Sequence, residues 1–172
     1  MNFWFYVLLI FIVALVLGPI AMLRPKPGQK RKEQLRLRAA GLGVRFGVRR
    51  LPALKTDMEA PALMSVYFLP PPVALQSAPD WVLMRTGYEH EGNFYKEWDW
   101  QGPVRPPHTI KDKLALLLPG LPCSVPALIQ GKSGTCVFWR EAEGEETLME
   151  LIQILRDLDQ LAADAAVSSA PE

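Results

Sequence analysis

Residues 3–23 read FWFYVLLIFIVALVLGPIAML, 21 residues without an Asp, Glu, Lys, Arg or His. A helix rising about 1.5 Å per residue would carry that run across about 30 Å, the hydrocarbon thickness of a bilayer. The run therefore predicts a membrane-spanning helix over 3–23. Trp4 and Tyr6, set among Phe3 and Phe5, are the expected interface anchors at its outer end. Gly18 and Pro19 lie near the other end, where a membrane helix tolerates them. Two other readings use the same residues. A buried core helix is normally shorter than this. A cleaved export signal wants a positive segment before the apolar run and small residues after it. Here only Met1 and Asn2 precede the run, and the positive charge follows it.

Between Arg24 and Arg50 stand ten basic residues and one acid, Glu33, a local net of +9. Positive flanks stay cytoplasmic, so the amino end is expected outside a bacterial inner membrane and the rest of the chain inside. Arg24, Lys26, Lys30, Arg31 and Lys32 form the expected collar for lipid head groups and for topology. The same charge would suit a nucleic-acid arm. Beside an apolar run of this length, lipid is the favoured partner and nucleic acid is not expected. Residues 24–42 are read as a basic juxtamembrane helix, either lying in the lipid interface or serving as a stalk.

The total charge of +1 hides an asymmetry: beyond Arg50 there are nine basic and seventeen acidic residues, a net of −8. An acidic domain is repelled by anionic lipid and by nucleic acid, so its expected partner is another membrane or cytoplasmic protein. Residues 43–162 suffice for one small core, and 163–172 read as a flexible tail. Two cysteines, Cys123 and Cys136, are too few for a disulfide framework; they are expected as thiols in a reducing compartment. They would be able to pair only if the domain were exported.

Periodicity supplies the elements. A helix is expected near 29–40, closed by Gly41. VRFGVRRL alternates Val44, Phe46 and Val48 against Arg45, Gly47 and Arg49, a strand with one apolar and one basic face. MSVYFL is a second strand, stopped by three prolines. DWVLMRTG and NFYKEWDWQ form a hairpin across EHEGN, and PALIQ and GTCVFWRE form another across GKS. TIKDKLALLL is a short helix ended by Pro119-Gly120. Leu148, Leu151, Ile152, Leu155, Leu158 and Ala162 mark one face of a last helix, with Glu145 and Glu146 in its first turn. The expected fold class is α+β, a mainly antiparallel sheet with two helices behind the amino-terminal membrane and basic helices.

Candidate chemistry is sparse. QGKSGT carries the GKS of a phosphate loop, but Pro126 stands where the motif needs its first Gly, and a strand follows rather than a helix. Cys123, Cys136, His90 and His108 match no metal-ligand spacing, so no metal or cofactor is expected. His90 between Glu89 and Glu91 has the residue types for acid–base work, and a membrane-tethered enzyme remains an alternative. Glu97 and Asp99 fit a solvated strand face. Phe94, Trp98 and Trp100 on the other face are core or, if exposed, a partner surface.

Arg24-Pro25 and the basic run Gln29, Lys30, Arg31, Lys32, Glu33 give the first forty residues a likeness to a known family. The boundary resembles the YajC-type accessory subunit of the bacterial preprotein translocase. That resemblance implies a single membrane helix, a small cytoplasmic domain and the translocase channel as partner. The overall organisation is also similar to proteobacterial single-pass inner-membrane proteins, a likeness that implies no activity. The expectation is thus a non-enzymatic single-pass protein presenting a cytoplasmic interaction domain, with the translocase subunit as the alternative.

Overall fold

The computed structural model describes residues 3–22, 27–53 and 60–168. The chain divides into two compact units, residues 1–34 and 35–172.

The first unit contains α1 (Phe3–Met22) and the start of α2 (Pro27–Gly41). The expected span over 3–23 needs correction. Among the described residues, no helix is long and apolar enough to cross a membrane. The single-pass inner-membrane location, with its outside amino end and cytoplasmic domain, depended on that span and is withdrawn with it.

The second unit is α+β, as the periodicity predicts. Six strands form one sheet: β1 (Arg45–Arg50), β2 (Leu63–Leu69), β3 (Trp81–Arg85), β4 (Trp98–Gln101), β5 (Ala127–Gln130) and β6 (Thr135–Phe138). Their order is β1-β2-β6-β5-β3-β4, and every neighbouring pair is antiparallel. Both expected hairpins are present. Cross-strand register lines up Phe46, Tyr67, Val137, Leu128, Leu83 and Trp100 in one row across all six strands. That row belongs to the main core with Leu35 and Ala39 of α2, Ile110 and Leu114 of α3 (His108–Leu117), and the apolar stripe of α4 (Glu145–Ser168). The period-2 and period-3.6 patterns thus meet on one sheet face. The other face carries a smaller cluster of Val66, Met84, Ala127, Cys136 and Phe138.

Several boundaries shift, and β4 begins at Trp98 rather than at Asn93, with Lys96 before it at φ 48°. Gly41 is the last helical residue of α2, and the left-handed position is Gly43, at φ 83°. The Val44 amide donates to the Ala39 carbonyl at 3.0 Å and the Gly43 amide to the Ala40 carbonyl at 3.1 Å, the Schellman pattern that needs a positive φ at that site. Helix α4 continues to Ser168, into the segment expected to be a flexible tail, because Ala162 still packs on the core.

Both cysteines are free: Cys123 is exposed and Cys136 buried. Burial pushes the Cys136 thiol up to about 11, opposed by the Arg49 guanidinium. A thiol so raised holds about a hundredfold less reactive thiolate at a given pH. Iodoacetamide at pH 8 is therefore expected to label Cys123 while Cys136 reacts only after unfolding. Equal labelling of both, read by peptide mass spectrometry, would contradict this placement.

Candidate functional site

A cleft of about 350 Å³ opens where four separate segments of the second unit meet. The turn ending at Pro79 forms one wall, and Pro106, Pro107 and Ile110 at the start of α3 form another. Ala162 and Ala165 of α4 close it, their small side chains leaving the space. Trp81 and Gln130, from adjacent strands, make the floor. Arg105 stands exposed at the lip.

The floor is polar but internally paired. Trp81 Nε1 donates to Gln130 Oε1 at 3.3 Å. The Gln130 amide nitrogen donates to Thr135 Oγ1 and to the Leu158 carbonyl, each at 2.9 Å. Thr135 in turn donates to Asp159 Oδ1 at 3.1 Å. Burial raises the Asp159 carboxyl above its ordinary range, against the hydrogen bond from Thr135. A raised folded-state value means the folded chain binds that proton more readily than the unfolded chain does. The contribution to stability is then full below the unfolded value and is lost as pH rises through the folded one. Asp159→Asn, which keeps an oxygen for Thr135, is expected to be more stable than the parent at pH 7, with the gap closing towards pH 4. Urea midpoints at the two pH values measure it, and a gap that widens on acidification would refute the sign.

Two other polar clusters act as fasteners. Glu141 is buried at φ 57° and accepts from Arg36 Nε and Nη2, both at 2.7 Å, from the Tyr67 hydroxyl at 2.8 Å and from Ser65 at 3.2 Å. Arg36 also lies 4.2 Å over the Phe46 ring. Arg85 pairs with Glu97, donates to the carbonyls of Leu121, Pro122 and Val125, and lies over Trp98. The smaller cleft of about 130 Å³ beside it includes Arg85, Glu97, Trp98 and Leu121 in its lining.

No known family matches this chain. Comparisons with protein-family models, with curated proteins and with solved structures each returned nothing. The likeness of residues 24–33 to the YajC-type subunit is accordingly not supported, and the translocase role it implied is not carried forward. A basic run after an apolar one is a pattern of charge, and charge pattern alone does not specify a fold.

The other sequence candidates fall in several places. Trp4 and Tyr6 are exposed on α1. Arg24 and Lys26 lie outside the described residues. Lys30 and Arg31 are exposed on α2 and Lys32 is half-buried there. Trp98 and Trp100 are buried, with Phe94 packed against them at the core margin. Trp100 contacts both Phe94 and Trp81, at ring separations of 4.8 and 5.6 Å, so the aromatic row is structural. Glu89, His90 and Glu91 are exposed in the β3–β4 connection, and His90 Nδ1 accepts the Gly92 amide at 3.0 Å. They line neither cleft. Among the described residues, no three His, Cys, Asp or Glu side chains are grouped to hold a metal. Arg105 carried no sequence signal, and Gln130 and Ala162 read from sequence only as a turn margin and a core-stripe position, because the cleft assembles residues from 75 to 165.

Proposed function

We propose that this chain is a non-enzymatic interaction protein that engages another protein through the apolar side chains of α1. The exposure of α1 supports the reading: all of residues 3–15 are exposed, Trp4 at 80 % and Phe3 at 76 %. Apolar surface of this extent in water marks an interaction site. Covering it gains about 25 cal/mol per Å². The polar chemistry of the second unit is consistent with binding rather than catalysis. Its buried Glu141 and Gln130 and its half-buried Arg85 are committed to neighbours within the fold.

A photo-crosslinking residue in place of Leu9 tests the proposal in the full chain. The expected product is a discrete adduct with a protein partner, formed only on irradiation. Adducts confined to lipid, or a full-length chain that stays monomeric in detergent-free buffer with no adduct, would overturn it.

A further inference from the structure

We propose that the cleft between α3 and α4 binds a small monocarboxylate with an apolar body, the carboxylate held by Arg105. This goes beyond the interaction reading and does not depend on what covers α1.

Volume sets the scale. At about 350 Å³ the cleft lies at the small end of the range of ligand pockets. Its walls are proline, alanine and isoleucine side chains and the Trp81 ring, which offer dispersion contacts and no hydrogen bonds. At the floor, the Gln130 amide spends its donors on Thr135 and Leu158 and its oxygen on Trp81. An apolar body can therefore displace water from the cleft without leaving a polar group unpaired.

Charge selects the head group. Arg36, Arg38, Arg85 and Lys113 each pair with a carboxylate. Arg105 differs. Its Nη1 donates to the carbonyls of Gly102 at 2.6 Å and Val104 at 2.9 Å, and its guanidinium lies 5.6 Å from the Trp100 ring. Among the described residues no acid pairs with it. The carbonyl contacts engage Nη1 alone, and among the described residues Nε and Nη2 donate to no group, which leaves them for a carboxylate in the paired geometry that guanidinium favours. The positive end of α3 starts at the same lip, since Pro107 and Ile110 line it. Asp80, beside this wall, is occupied by the Ser133 amide at 3.0 Å and hydroxyl at 2.6 Å. One guanidinium against apolar walls suits a single negative charge, not a polyanion.

Calorimetric titration of the full chain with octanoate and with 3-phenylpropanoate tests the site. At least one acid is expected to bind saturably at one site per chain, and its primary amide about tenfold more weakly, the worth of a charge-assisted hydrogen bond. Arg105→Gln, on an exposed loop, should lose the same factor for the acid and nothing for the amide. Ala165→Phe should fill the cleft and abolish both. Circular dichroism of the two variants confirms that the fold is retained. The proposal is overturned if neither acid binds, if acid and amide bind alike, or if binding survives Ala165→Phe, which would place the ligand on α1 or elsewhere. None of these outcomes bears on the crosslink at Leu9, so the two proposals fail separately.

Discussion

Arg36→Met is expected to destabilise the fold by about 3 kcal/mol, the low end of the range for breaking a buried ion pair. The reason lies in the asymmetry of the pair. The Glu141 side chain has no exposed surface, whereas that of Arg36 is 36 % exposed. Removing the guanidinium leaves a carboxylate inside the fold with Tyr67 and Ser65 as its remaining donors among those described above. Water can enter from the Arg36 side, which keeps the cost below that of a fully enclosed pair. Tyr67→Phe removes one hydrogen bond and should cost about 1.5 kcal/mol. Burial, then Glu141, hold the Tyr67 phenol far above its ordinary value, so it stays a neutral donor through the whole physiological range. A double-mutant cycle between Arg36→Met and Glu141→Gln, in urea, checks the assignment. The double variant should be less impaired than the two single changes summed, since removing the charge relieves the stranded carboxylate. Additive losses would mean that α2 is not fastened to the sheet through this pair.

That pair shows where sequence reading stops. The residues stand 105 positions apart, and nothing in the basic run of α2 sets Arg36 apart from Arg31 or Arg38. Local patterns were legible because each element carries its own period. VRFGVRRL alternates, the α4 stripe recurs every three or four residues, and the two hairpins join consecutive strands through turn residues. The sheet order was not legible. Inserting β6 and β5 between β2 and β3 joins strands distant along the chain, and that choice rests on the summed packing of the cross-strand row. The cleft is still less legible: its floor comes from Trp81 and Gln130, its lip from Arg105, and its volume from two alanines of α4. Ala162 reads from sequence as one more core position. Only the fold shows that its small size, with that of Ala165, leaves a space. The apolar run of residues 3–23 taught the opposite lesson, since composition there predicted more than the described helix supports.

Gly134→Ala should be the most damaging single methyl group in the chain, costing about 4 kcal/mol or preventing the β5–β6 hairpin from docking. The glycine sits at φ 87°, a left-handed conformation that an alanine adopts only at a cost. Sterics add more. A Cβ there would lie 2.1 Å from the Leu69 carbonyl oxygen, 3.2 Å from its carbon and 3.4 Å from the Pro71 nitrogen. These are backbone atoms, and no side-chain rotation relieves them. Leu69 is held by its pairing with Thr135, and the prolines after it stiffen the chain. Lys132 in the same turn is exposed, and Lys132→Ala should shift stability by no more than about 0.5 kcal/mol. Thermal denaturation of the two variants separates two meanings of GKSG. A phosphate-cradling turn would need its lysine for binding and its glycines for the ligand's approach. Here the glycine is required because strand β2 passes against it, so the damage should appear in stability with no ligand present. A Gly134→Ala chain that melts with the parent would show that β2 and β6 do not meet in this register.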